Sequence, residues 1–245
     1  WSNAVRMYLA VYDSTTSDYT KAQMNLLAAQ AYLLLGYTDQ ANARYMDSVL
    51  NFPRAYDSYT ALVEVDKAGL EVNDLSRGMI YFYVREYGLA IQAFDLSMTN
   101  NIDHDGTAHY FKAYAYYNQG LYAESLAEWE LLIRDHSGDR FWATAWDEKS
   151  YILWAHQGKY AEGAQVLIDF VAQTPDAPEA ARFLYEAGRI YERNGLLSEA
   201  AQTWERMINE YASEEISYEA LFQAGIARYR LMQYGAALVT FQRLQ

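Results

Sequence analysis

Small, aromatic and turn-forming positions return along this chain in one fixed order, with polar residues filling the intervals. Six turn residues mark the pattern: Gly36, Arg85, Gly120, Gly158, Gly195 and Met232, spaced 49, 35, 38, 37 and 37 apart. Seven residues before each stands Ala29, Gly78, Ala113, Tyr151, Gly188 or Gly225, small in five cases of six. Four before each stands Tyr32, Tyr81, Tyr116, Trp154, Tyr191 or Arg228. Five after come Ala41, Ala90, Ser125, Gly163, Ala200 and Ala237, and nine after come Tyr45, Phe94, Trp129, Leu167, Trp204 and Phe241. A small residue lets two helices approach, and a large one opposite fills the space between their axes. Glycine at the marker permits the backbone conformation that ends the first helix. The pattern therefore predicts helical hairpins. Each hairpin alone would leave an apolar face wet, so neighbours must stack into a solenoid.

The segment GRIYERNGLLSEAAQTW (188–204) carries the small residue, the aromatic, the turn glycine, the alanine and the large aromatic in order. It resembles the tetratricopeptide repeat family, and the resemblance extends over nearly the whole chain. Pro53 and Pro175 match the proline that closes a repeat in that family. The repeats run longer than the family's usual ~34 residues, and RAYDSYTALVEVDKAGL fits an additional helix near residues 54–69, stopped by Gly69. Ala4 and Tyr8 fit a second helix, and FQRLQ ends inside another repeat, so residues 1–245 are expected to be one solenoid with truncated ends, a piece of a longer protein. Longer repeats joined by stretches such as TPDAPEAARFLYEAG also resemble bacterial envelope tetratricopeptide proteins. Among those, the narrower resemblance is to the superhelical N-terminal region of soluble lytic transglycosylases. That resemblance implies an extracytoplasmic setting and an accessory region contacting a peptidoglycan glycan strand, its catalytic domain lying outside this chain. Glu124-Ser125 matches the family's catalytic pair, but it sits inside a repeat without the motif that should follow.

Composition narrows the partners. A formal charge of −13, with five lysines against fourteen arginines and no basic cluster, argues against nucleic acid. With no cysteine, disulfides, thiolate zinc sites and cysteine nucleophiles are excluded. No apolar run is long enough to span a bilayer. Three prolines, and runs of Ala, Leu, Glu, Gln and Met, favour helix almost throughout.

The densest aromatic stretch is HYFKAYAYYNQGLYAES, residues 109–125. At ~100° per residue, Tyr110, Tyr114 and Tyr117 share one narrow stripe, whereas Tyr116 turns toward Ala113 and His109. Tyr116 and Tyr122 occupy the recurring aromatic positions expected in the core. The stripe, with Phe111 beside it and Phe82 and Tyr83 from the preceding repeat, corresponds to the face that lines the concave groove in tetratricopeptide proteins. Tyrosine suits such a face, because its ring is large and rigid and its hydroxyl tolerates water or a polar partner. The competing reading buries the stripe under a tight superhelix or under the extra helix. Arg189 and Arg193, four apart, can together receive a carboxylate or phosphate. Against that, Glu186 and Glu192 stand at helical spacing to neutralise them.

Other chemistry is weakly signalled. Asn101, Asp103, Asp105 and Gly106 imitate the opening of a calcium loop, but Lys112 stands where its closing acid belongs. The alternative is that Asp105 or Thr107 caps the next helix. His104, His109, His136 and His156 show no ligand spacing. No metal or cofactor is expected, and no active site. The expectation is an all-α, right-handed superhelix of about six antiparallel hairpins that binds a protein or extended peptide. Its anchors are Phe82, Tyr83, Tyr110, Phe111, Tyr114 and Tyr117, with Arg189 and Arg193 for polar recognition.

Overall fold

Fourteen α-helices and one π-helical turn account for nearly all of the described residues, 1–244, in the computed structural model. Gln245, the last residue of the closing FQRLQ, lies outside them. No strand occurs among the described residues. The chain forms two compact units, Trp1–Ser125 and Leu126–Gln245. The first holds α1 (Ser2–Ser14), α2 (Asp18–Leu34), α3 (Thr38–Asn51), α4 (Tyr56–Lys67), α5 (Asp74–Tyr83), α6 (Tyr87–Asn100) and α7 (Thr107–Asn118). The division falls within α8 (Tyr122–Asp135). The second unit holds α9 (Trp142–Tyr151) with its π-helical turn (Ile152–His156), α10 (Tyr160–Gln173), α11 (Ala180–Arg193), α12 (Leu197–Glu210), α13 (Ile216–Arg230) and α14 (Tyr234–Gln242). Within each unit consecutive helices pack on one another, α5 with α6 and α11 with α12, and the first helices of neighbouring hairpins also touch, α5 with α7 and α11 with α13. Each unit is thus a solenoid of antiparallel hairpins.

The hairpins close through one device. All six turn residues read from the sequence have positive φ: Gly36, Gly120, Gly158 and Gly195, but also Arg85 at 66° and Met232 at 58°. In five of them the next residue's N–H reaches back to the carbonyl of the recurring position four before the marker. Tyr37 bonds Tyr32 at 2.9 Å, Glu86 bonds Tyr81 at 2.9 Å and Gln233 bonds Arg228 at 3.0 Å. That bond, together with the shorter one from the turn residue itself, satisfies carbonyls left open at the helix end. A side chain in the left-handed region costs about 1–2 kcal/mol, so Arg85 and Met232 hold strain where the other four turns hold none.

The small positions work as expected, with one informative exception. A Cβ added to Gly78 would lie 2.5 Å from the Phe94 ring, one added to Gly188 2.4 Å from Trp204 Nε1, and one added to Gly225 2.4 Å from Phe241. Each pair joins the position seven before a turn to the position nine after it. Trp204 has little room to yield, since its buried indole N–H donates to the Tyr185 carbonyl at 3.1 Å. The exception is Tyr151, which is 40% exposed and so does not occupy the small site. The π-helical turn after it inserts one extra residue, seen where the Lys159 N–H reaches Leu153 O at 2.9 Å, six residues back instead of five. Ser150 therefore takes the small place. Its Oγ donates to Gly163 O at 2.8 Å, much as Ser125 Oγ donates to Ala113 O at 2.9 Å in the preceding hairpin.

The first unit carries an added layer. α4 packs on both α2 and α3, the contacts a following hairpin's first helix would make. Ala61, Leu62 and Val65 of α4 join Ala29, Tyr45, Val49 and Ile80 in one buried cluster. Nearby, Asp47 of α3 accepts hydrogen bonds from the Tyr12 hydroxyl of α1 at 2.8 Å and from the Asn25 amide of α2 at 2.7 Å. Burial, with that carboxylate next, pushes the Tyr12 hydroxyl up to about 12.

Relieving strain at a turn and crowding a close approach should act in opposite directions. Arg85→Gly and Met232→Gly are each expected to stabilise the protein by about 0.5–1 kcal/mol, after allowing for the added freedom of glycine in the unfolded chain. Gly188→Ala is expected to cost about 1–3 kcal/mol through overpacking on Trp204. Thermal melts followed by circular dichroism separate the two. A lower melting temperature for either glycine substitution would refute the strained-turn account.

Candidate partner-binding surface

The aromatic residues of the first unit form a continuous run of ring contacts from the end of α5 across to α7. Phe82 and Tyr83 are the last residues but one and the last of α5, and their rings meet at 5.5 Å. Phe82 reaches Phe111 at 5.2 Å, Phe111 reaches Tyr110 at 5.2 Å, and Tyr110 reaches Tyr114, one turn on, at 4.9 Å. Tyr117, a further turn along, meets Tyr122 at the start of α8 at 5.7 Å. These pairs are edge-to-face, with interplanar angles between 64° and 88°. This is the arrangement that ring quadrupoles favour.

Burial sorts the rings differently from the sequence pattern. Phe82, Tyr83, Tyr110, Tyr114 and Tyr117 are half-buried, but so are Tyr116 and Tyr122, which the pattern assigns to the core. Phe111 is corrected outright. At 8% exposed it belongs to the core, stacked on Phe94 at 6.0 Å with an 18° interplanar angle. The helix explains it: Phe111 turns ~100° from Tyr110, onto the side of buried Ala108 and Ala115. The buried residues Ala61, Leu62 and Val65 of α4 pack in the cluster with Ile80, which includes no residue of α7.

One residue of this surface was missed. Exposed Arg54, in the short connection before α4, donates from Nε to the Tyr83 hydroxyl at 3.1 Å, its guanidinium 5.5 Å from that ring's centre. Arg54 lies outside the repeat register, so counting from turn residues passes over it. The signal available was a lone cation directly after a repeat-closing proline.

Arg189 and Arg193 belong to the second unit, on the last turns of α11, and both are exposed. Arg193 lies over the Trp154 ring at 4.7 Å, and Arg189 stands 6.0 Å from the Tyr185 ring. Burial raises the Tyr185 hydroxyl, with Glu219 next in effect and Arg189 opposing. Glu192, expected to neutralise the pair, is bound instead by Arg230 at 2.7 Å.

The loop before α7 is organised as a helix start. Asp105 Oδ1 accepts from the Thr107 N–H at 3.0 Å, and Lys112 pairs with Asp95. The His104 and His109 rings lie 5.2 Å apart beside it. No helix of the described residues is long and apolar enough to cross a membrane.

The sequence profile of the tetratricopeptide repeat matches residues 75–139 and 155–215, just over half the chain. The chain belongs to the tetratricopeptide repeat family. No curated protein matches this tetratricopeptide chain. Among solved structures, the apo form of RapI aligns with a TM-score of 0.56 and 13% identity, covering 99% of this chain and 75% of that one. The C-terminal part of a TPR repeat-containing protein from Cytophaga hutchinsonii aligns at 0.54 and 15%, covering 100% and 90%. At such identities the likeness is one of fold. The narrower resemblance to lytic transglycosylases gains no support from these comparisons.

Truncation distinguishes buried ring from surface ring. Phe111→Ala is expected to cost about 3–5 kcal/mol, as for a core aromatic. Tyr114→Ala should cost about 1–2 kcal/mol. Chemical denaturation of both variants checks this, and equal losses would place Tyr114 in the core as well.

Proposed function

We propose that this tetratricopeptide chain is a non-catalytic scaffold whose first unit binds an extended peptide or a segment of a partner protein. Phe82, Tyr83, Tyr110, Tyr114 and Tyr117 are the anchors, and Arg54 lies at one end of their surface. The observation that carries the reading is the group of half-buried rings on the successive first helices α5 and α7, with buried Phe111 linking Phe82 to Tyr110. Rigid aromatic side chains lose little rotamer freedom on binding and dominate interface hot spots, where a neighbouring arginine adds polar contact. Arg189 and Arg193 supply polar recognition on the second unit.

The ring geometry favours peptide over glycan as ligand. Neighbouring rings meet edge to face, with Tyr110 and Tyr114 at 74° and Phe82 and Tyr83 at 83°. Rings set edge to face offer no flat platform for successive sugar rings.

The test is selection of twelve-residue peptides from a displayed random library, followed by calorimetric titration of the synthetic winners. The Tyr114→Ala/Tyr117→Ala variant, with its helicity intact by circular dichroism, is expected to bind at least tenfold more weakly. Tyr56→Ala, at a site 70% exposed away from the ring contacts named above, should bind as the wild type does. Co-sedimentation with purified peptidoglycan sacculi is the counter-test: pelleting that the double variant loses would replace the peptide with a glycan strand. Unimpaired peptide binding by the double variant would overturn the assignment of the surface.

A further inference from the structure

We infer that His104 and His109, in the first unit, form a binding site for a divalent transition metal of the imidazole-seeking class: zinc, nickel or copper. The inference does not depend on the peptide-binding reading, although His109 lies on α7, the helix that carries Tyr110 and Tyr114.

Three observations converge on the pair. The two rings lie 5.2 Å apart, tilted by 54°, and each offers a ring nitrogen within 4.8 Å of the other's. Zinc–nitrogen bonds of about 2.0–2.1 Å in a tetrahedral site put two such nitrogens about 3.3 Å apart. A small rotation of the rings therefore brings both onto one ion. Next, His104 is already set as a ligand. Its Nδ1 stands 2.9 Å from the Asp105 carbonyl oxygen. A carbonyl only accepts, so Nδ1 donates and Nε2 carries the lone pair that a metal takes up. Metal-bound histidines are oriented in this way by an acceptor behind the ring. Finally, the backbone beneath both rings is fixed. The His104 N–H donates to Asn101 O at 3.2 Å, and Asp105 Oδ1 accepts from the Thr107 N–H at 3.0 Å. His109 is buried in the first turn of α7, whereas His104 is half-buried and reached from solvent.

Chemistry selects the ion. Calcium and magnesium take oxygen ligands, but Asp105 is committed to the cap of α7, and Lys112, paired with Asp95, stands in the place of a closing acid. Neutral imidazole suits zinc, nickel and copper instead. The positive end of the α7 dipole opposes a cation here. Exposed Asp103 and Asp105, in a chain of charge −13, act the other way. Bound metal ties the connection over residues 101–106 to the first turn of α7, and so holds the start of the ring-bearing helix.

The test is calorimetric titration of the metal-free intact chain, without a histidine tag, with zinc, nickel and calcium chlorides in turn. Zinc and nickel are expected to bind at pH 7.5 and to weaken about tenfold or more at pH 5.5, because imidazole ligates only when neutral. Calcium should not compete. His104→Ala should lower zinc affinity about tenfold or more, whereas His156→Ala, at an exposed position on the second unit, should leave it unchanged. Zinc should also raise the melting temperature of the wild type, and not that of His104→Ala. Nitrogen-15 spectra of the wild-type imidazoles need no variant to fold: the His104 and His109 signals should shift with zinc while that of His156 stays. Binding only at millimolar zinc, unchanged affinity in folded His104→Ala, displacement by calcium, or unmoved His104 and His109 signals would each overturn the site, leaving the scaffold reading as it stands.

Discussion

Within each repeat the second helix folds back on the first through one residue in the left-handed region, and it lies close because one position is small enough for a large ring opposite. That paired requirement governs this chain. The turn sets the direction of the second helix, and the close approach at Gly78–Phe94, Gly188–Trp204 and Gly225–Phe241 sets how near it lies. The aromatic stripe inherits its place from those two facts, because the first helices carry the small residue on one face and the stripe on another. Where the turn residue is arginine or methionine, packing nearby has to offset the strain.

This is also why so much of the fold was legible. Both halves of the requirement leave a mark at fixed spacing, a turn residue and a small residue seven before it, and counting from Gly36 to Met232 located all six turns, including the two without glycine. What counting could not supply was any departure from its own period. The π-helical turn shifts Ser150 into the small site and puts Tyr151 outside, and a fixed offset assigns those residues to the wrong faces. Phe111 was misplaced for a related reason. Position along the helix places a ring beside the stripe, but whether its neighbour leaves it exposed depends on Phe94, seventeen residues away. Arg54 shows the limit most plainly, since its contact with Tyr83 comes from the connection to the added helix α4 and not from the repeat.

The two candidate surfaces differ in chemistry. On the first unit half-buried rings offer apolar area with hydroxyl edges. On the second, Arg189 and Arg193 lie against aromatic rings. Aromatic residues recur in both, meeting one another in the first and a cation in the second.

The widened turn after α9 separates chain length from register. One surplus residue is absorbed within Ile152–His156, and the hairpin beyond it resumes the ordinary contacts of α10 with α11. Such a turn lets a repeat gain or lose a residue without a matching change elsewhere. The cost is a shift of about 100° in which residues of α9 face the core, as Ser150 and Tyr151 show. A single insertion can thereby bring a new set of side chains to the surface of a helix while the scaffold around it stays as it was.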